Sequence, residues 1–207
     1  MASTSFTITG AEDLKRLRSF LDVKLYDKAT RGGISYASKA VPPAVAKGIS
    51  SSYNIASARV KKDISRTQFV DNGQTALIRF SRRPPTLAQF KPDPGIRQPQ
   101  PGLGRGKGWG KPAKPGKPLS VTIVKGKGRQ SIGGVFLATG ASANRLVLRR
   151  TGNGQLQGVY GPSTGSIFLG NSAIGPQLRD DVQKRINEQF IKGYQRVLDS
   201  AARGYGN

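Results

Sequence analysis

Two glycine-rich stretches contain the residue types from which phosphate-binding loops and nucleophilic serine sites are built. Residues 102–108 (GLGRGKG) place two cations between glycines, but no predicted strand precedes them and no Gly-Lys-Ser/Thr start of a helix follows. Residues 161–165 (GPSTG) share little with a nucleophile elbow beyond the glycines, because a proline precedes the serine. Neither stretch therefore predicts phosphate-loop or serine-nucleophile chemistry.

The chain has no histidine and no cysteine. This excludes the usual general base, the thiol nucleophile and Cys/His metal ligands. Acids are few, and the adjacent pairs Glu12-Asp13 and Asp180-Asp181 fall at predicted helix starts, where the helix dipole accounts for them. We therefore expect no catalytic residue, no metal site and no cofactor, and we expect that the chain is not an enzyme.

The net charge is the strongest signal in the composition. The chain contains 34 Lys and Arg against 11 Asp and Glu, so its formal net charge is +23. This exceeds what solubility requires and predicts a polyanion or an acidic protein surface as a partner. Aromatic residues make up 7% of the chain and no base-reading motif is recognisable, so the expected contact is with phosphates and independent of sequence.

Residues 91–118 offer little to a hydrophobic core. Glycine and proline recur there without a fixed period, which predicts a long extended loop between strands. The loop is either a passive insertion or an arm that docks on a neighbouring subunit or on DNA, and the lone Trp109 favours the arm. Five of its cations are the expected DNA-phosphate contacts: Arg105, Lys107, Lys111, Lys114 and Lys117.

The elements on either side of this loop predict an α+β fold in a single domain over 1–207. Helices are expected in several short pieces over about 11–64, with an interruption at Arg31-Gly32-Gly33. Pro42-Pro43 is expected to break or kink the helical segment, because proline removes a backbone donor and clashes with the preceding turn. A last short helix is predicted over 58–64.

A β-rich part is predicted over about 74–170, with a central antiparallel sheet. Asn72-Gly73 is a hairpin-type turn that leads into the first strand. The region from Gly158 to the apolar run ending at Leu169-Gly170-Asn171 is predicted as turn-rich strand. The individual strands are expected at 74–80, 119–124, 132–139, 145–151 and 156–160.

A long amphipathic helix is predicted at the C-terminus, over about 176–203. Gly175-Pro176 ends the preceding segment and suits a helix start. Apolar residues then recur at helical spacing: Leu178, Val182, Ile186, Phe190, Tyr194, Val197, Leu198 and Ala201.

Several segments, taken in order over about 26–201, resemble the tailed-phage minor tail protein Z family. The C-terminal ones are Tyr160-Gly161-Pro162-Ser163, the run ending at Leu169-Gly170-Asn171, and the long helix that follows. The resemblance lies in the order of the whole set, and the loop at 91–118 departs from the family pattern. The upstream segments are 53–55 (YNI), 57–62 (SARVKK), 78–84 (IRFSRRP), 87–90 (LAQF), 121–127 (VTIVKGK) and 134–138 (GVFLA).

The resemblance implies a structural virion protein that acts in tail completion. Copies would form a ring, expected to be a hexamer, at the head-proximal end of the tail or the neck, after a period in the host cytoplasm during assembly. The ring would join the tail tube and tail terminator proteins to the head-tail connector proteins, and its basic surface would suit genomic DNA in the lumen. The expected assembly residues are Trp109, Tyr160, Gly161, Pro162, Ser163, Leu169, Gly170 and Asn171.

A free nucleic-acid-binding protein without sequence preference is the alternative, and the charge supports it equally. A free binder would saturate short DNA as a monomer or dimer, whereas a ring subunit needs its assembly partners. No membrane partner is expected, because no apolar run approaches the roughly 18 residues of a membrane span. The N-terminus also lacks the order of a signal peptide.

Overall fold

The computed structural model describes residues 22–90, 92, 119–139, 145–170 and 172–204. The predicted α+β class is confirmed, with a helical N-terminal region, small antiparallel sheets and a long C-terminal helix. The expected loop at 91–118 lies almost entirely outside the described residues, as does the first part of the predicted helical segment. The helices are α1 (Val23–Ser52), α2 (Ser57–Lys62), α3 (Thr164–Leu169) and α4 (Gly175–Gly204).

The described residues fall into two compact units. The first consists of the residues up to Ile49, Ala58–Ser81 and the residues from Thr164 onward. The second consists of Ser50–Ser57 and Arg82–Ser163. This division does not test the single-domain prediction for 1–207, which stays a prediction.

Helix α1 is continuous, so the predicted interruption at Arg31-Gly32-Gly33 is wrong, and Pro42-Pro43 does not break the helix. A kink at the prolines stays a prediction. The glycines lie where α4 comes closest: a β-carbon at Gly33 would be 2.7 Å from the Phe190 ring. Each proline costs a helix interior about 3 kcal/mol. Burial offsets a cost of this size, because each buried Val or Ile contributes about 1.5–3 kcal/mol. The buried apolar residues around the prolines are Val41, Val45, Ala46 and Ile49.

Helix α4 confirms the predicted C-terminal helix and runs antiparallel to α1. Gly48 lies against Leu178, near the start of α4, whereas Gly32 lies against Val197, near its end. The predicted apolar stripe is buried at Leu178, Val182, Ile186, Phe190 and Tyr194. One detail differs: α4 begins at Gly175, so Asp180 and Asp181 lie beyond its first turn, where the effect of the dipole declines.

Residues Thr164–Leu169 form helix α3, so the strand-like region predicted up to Leu169 is wrong there. Ile167 and Phe168 are adjacent and both buried, whereas adjacent residues of a strand point to opposite faces. Phe168 packs on Phe80 with ring centroids 4.7 Å apart. The apolar run has three residues, too short for its periodicity to distinguish a helix from a strand.

The first unit also contains a β-hairpin. Strand β1 (Gln68–Val70) pairs antiparallel with β2 (Thr75–Leu77). The predicted Asn72-Gly73 turn is confirmed, and Asp71, Asn72 and Gly73 adopt left-handed backbone conformations. Strand β1 was missed by the sequence analysis, and β2 is shorter than the predicted 74–80.

The second unit contains two antiparallel sheets in place of the single central sheet that was predicted. One is the pair β3 (Leu119–Val121) and β4 (Gln130–Ile132). The other has the order β5-β6-β7, formed by Val135–Thr139, Arg145–Arg150 and Leu156–Gly158. The predicted strand at 132–139 is divided by Gly133-Gly134, where Gly134 has a φ of 68°. The core of this unit includes Leu87, Phe90, Val121 and Val147.

Candidate assembly surface

Tyr160 is an exposed aromatic side chain on an ordered backbone in the second unit. It is 54% exposed and forms a β-bridge with Thr86. Its hydroxyl lies over Gly158, where a β-carbon would be 2.6 Å from the hydroxyl oxygen. The Gly158 backbone thus leaves room for the phenol. Tyr160 therefore presents a fixed aromatic surface to solvent.

The three residues after Tyr160 are more enclosed. The Gly161 N–H donates to the Pro85 carbonyl oxygen at 2.8 Å. A β-carbon at Gly161 would lie 2.3 Å from the Phe90 ring, so packing requires glycine there. Pro162 is half-buried and Ser163 is buried. The predicted assembly set therefore offers one well-exposed side chain in this segment, that of Tyr160.

The other predicted assembly segment lies at the end of α3, in the first unit. Leu169 and Gly170 are half-buried, and the Gly170 N–H donates to the Ser166 carbonyl oxygen at 3.1 Å. The Arg179 guanidinium donates to the carbonyl oxygens of Phe168 and Gly170, at 2.8 and 3.3 Å. This satisfies carbonyl groups that the helix end leaves without intrahelical partners. Asn171 lies outside the described residues.

A buried carboxylate that the sequence analysis missed joins three parts of the first unit. Asp63 accepts a hydrogen bond from the Thr164 hydroxyl at 3.0 Å and pairs with Arg59 at 3.1 Å. Its carbonyl oxygen accepts from the Ser81 N–H at 2.7 Å. The side chain is 6% exposed, and these partners offset the cost of its burial. No signal in the sequence distinguishes Asp63 from a surface acid next to Lys61-Lys62.

The β1–β2 hairpin carries the largest group of exposed apolar side chains that we find in the described part of the first unit. Phe69, Val70 and Leu77 are 48%, 38% and 40% exposed. The register places Phe69 opposite Ala76 on one face, and Val70 and Leu77 on the other. The apolar run Phe69-Val70 directly before the Asp71-Asn72-Gly73 turn was the available sequence signal for β1.

The described residues contain no group of three or more Asp, Glu, His or Cys side chains placed to hold a metal ion. A shallow depression on α1 is lined by Lys24, Asp27, Lys28 and Arg31, which mix both charge signs. Within the same described ranges, no helix is both long and apolar enough for a membrane span.

The predicted phosphate contacts and the predicted anchor of the loop lie outside the described residues, so their roles stay predictions. These are Arg105, Lys107, Lys111, Lys114, Lys117 and Trp109.

Comparisons of the chain with protein-family models, with curated proteins and with solved structures gave no match. The resemblance to the minor tail protein Z family thus rests on the sequence segments themselves. Its functional implications are proposals.

Proposed function

We propose that the chain is a structural protein of a phage tail. In this role it completes the tail at the head-proximal end, where copies form a ring between the tail tube with its terminator and the head-tail connector. Its partners are copies of itself and these neighbouring proteins, with genomic DNA in the lumen. Its work is association rather than catalysis.

The observation that carries this proposal is the exposed β1–β2 hairpin. A two-stranded ribbon is marginally stable in water by itself. Here Phe69, Val70 and Leu77 leave apolar surface on both of its faces. Exposed apolar surface of this kind marks protein–protein contacts, because burial against a partner removes it from water. A neighbouring subunit in a ring would provide that burial.

Tyr160 supports the proposal from the second unit. Aromatic side chains are enriched in protein interfaces, since they bury a large area at a low cost in conformational entropy. Tyr160 is exposed and fixed by its contact with Gly158. The sequence segment that contains it is also one of those that resemble the tail family.

The free nucleic-acid-binding protein remains a second candidate, and the charge of the chain supports it as well as it supports the first. The sequence contains no Asp or Glu from 94 to 179, so this part of the chain is purely cationic. A ring subunit around DNA and a free binder would both use such charge. They differ in whether the chain must associate in order to function.

The test is deletion of the gene from the phage that encodes it, followed by electron microscopy of the lysate. We expect heads and tails to accumulate separately, and the wild-type chain supplied in trans to restore joined particles. Phe69→Asp should fail to restore them. Leu156→Asp, which changes a side chain that is 55% exposed on the second unit, is the matched control and should succeed. Normal numbers of joined particles without the chain would overturn the proposal.

A further inference from the structure

The charged side chains of the second unit are all of one sign in its described part. No acid occurs among its described residues, although several of its cations are exposed. With no acid among the described residues of the unit to offset them, these cations raise one another's electrostatic energy. The exposed cations are Arg82, Arg83, Lys125, Lys127, Arg129, Arg145, Arg149 and Arg150.

The first unit is different, because its surface mixes both signs. On α4, the exposed acids Asp180, Asp181 and Glu188 alternate along the helix with the exposed cations Lys184, Arg185 and Lys192. Charges arranged in this way offset each other locally. Over the described residues, each unit has a net charge of +8, from 16 cations and 8 acids in the first unit and from 8 cations and no acid in the second. The second unit is therefore the one whose described charge is purely positive.

Strand β6 holds three of these cations in fixed positions. Arg145 and Arg149 share one face, about 13 Å apart at the usual rise of a strand, with the buried Val147 between them. The register places neutral residues opposite them: Thr139 opposite Arg145, and Val135 and Gln157 opposite Arg149. On the other face, the Arg150 guanidinium lies over the Phe136 ring at 5.7 Å.

The β3–β4 connection adds charge at the turn that follows Val124. The Lys125 ammonium donates to the Ser50 carbonyl oxygen at 2.6 Å, which fixes its position. Gly126 has a φ of 78° and lies in the turn between Lys125 and the exposed Lys127. Together with β6, the turn provides cations on ordered backbone, without acids that would repel a polyanion.

We infer that Lys127 on the β3–β4 turn and Arg145 and Arg149 on β6 bind the phosphates of double-stranded DNA without reading its sequence. Binding of single strands commonly uses exposed aromatic side chains as stacking platforms. In the described part of the second unit, Tyr160 is the one aromatic residue more than half exposed, which favours backbone contact with a duplex. The inference rests on the proposed function in one respect only, namely that the DNA lies in the lumen of the tail.

The test measures binding of a short labelled DNA duplex by fluorescence anisotropy over a series of salt concentrations. One variant combines Lys127→Gln, Arg145→Gln and Arg149→Gln. The control combines Lys184→Gln, Arg185→Gln and Lys192→Gln on α4 and has the same net charge. Both variants keep the cations of residues 91–118, so any contribution from that loop is common to them.

We expect the second-unit variant to reduce the slope of log K against log salt by about 2 to 3, since each lost phosphate contact accounts for about 0.9. The α4 control should change it by less than about 1, and Arg145→Lys with Arg149→Lys should retain the wild-type slope. Thermal melting verifies folding. If the triple variant does not fold, Arg145→Gln and Arg149→Gln are measured singly, each with an expected loss of about 1 in slope.

Three results would overturn the inference: equal slopes for the two triple variants, no binding of duplex DNA by the wild type, or displacement of the duplex by polyglutamate at equal charge concentration. The third result would indicate an acidic protein partner instead. Each readout is independent of particle assembly. Failure of DNA binding and failure of the tail role are therefore distinguishable.

Discussion

At the scale of single residues, Tyr194 on α4 is buried without a hydrogen-bond partner for its hydroxyl among the described residues. Burial raises the pKa of Tyr194 above its ordinary value of 10.0, and the neighbouring Tyr26 raises it further. The folded state therefore favours the neutral phenol. A buried hydroxyl without a partner also costs stability, because water would otherwise satisfy it.

We expect Tyr194→Phe to be at least as stable as the wild type at neutral pH and less sensitive to alkali. Because the pKa of Tyr194 is raised on folding, its contribution is complete below the unfolded value near 10 and is lost as pH rises through the folded pKa. Urea unfolding at neutral pH and above pH 10 measures both effects. An identical loss of stability in alkali for both proteins would show that ionisation of Tyr194 does not contribute to the alkaline instability.

Asp63 shows how far single residues can be interpreted from sequence. Asp180-Asp181 lies on the predicted C-terminal helix, though beyond its first turn, and Glu12-Asp13 lies outside the described residues. The acid with the most specific environment, Asp63, was overlooked. Its partners Arg59 and Thr164 lie 4 and 101 residues away in the chain. An Arg four residues before an acid predicts at most an ordinary ion pair along a helix. The Thr164 contact exists only after α2 and α3 have packed, so no local pattern could reveal it.

At the scale of elements, the pairing of α1 with α4 depends on small residues at the points of closest approach. A β-carbon at Gly193 would lie 2.7 Å from the Tyr36 β-carbon and 2.9 Å from the Gly32 carbonyl oxygen. Neither neighbour is the flexible end of a side chain. The glycines that were expected to interrupt α1 therefore permit the helix pair that stabilises it.

We expect Gly193→Ala to destabilise the protein. Overpacking costs about 1–3 kcal/mol, whereas replacing glycine by alanine in a helix gains at most about 1 kcal/mol. Gly204→Ala on the same helix is the control, because nothing lies within 4 Å of its added β-carbon. It should be neutral or slightly stabilising in thermal denaturation. A Gly193→Ala protein that melts with the wild type would show that α1 and α4 are less closely packed.

The prediction of elements succeeded where the signal was local and long. The α4 stripe extends over many turns, and the Asn72-Gly73 turn has a specific backbone requirement. It failed where packing decided the outcome, as at Arg31-Gly32-Gly33 and in α3. In these segments the buried partners lie far away in the sequence, and intrinsic propensity alone gave the wrong structure.

At the scale of the whole molecule, composition predicted a basic chain and the order of helical and strand patterns predicted an α+β fold, and the structure adds how the described charges are distributed. All described acids lie in the first unit. This could not be assigned from sequence, because the unit boundaries depend on contacts between distant segments. The hairpin was likewise predicted only in part. Without β1, its exposed apolar side chains could not be recognised as one surface.

The central claim is that the chain works by associating with copies of itself through the hairpin. Mass photometry of the purified protein at several salt concentrations, without DNA, tests this most directly. We predict a discrete oligomer of about six copies that persists at high salt. Phe69→Asp should reduce it to monomers, and the control Leu156→Asp, at a side chain of similar exposure, should leave it intact. A wild-type protein that stays monomeric under all these conditions, or an oligomer unaffected by Phe69→Asp, would contradict the account.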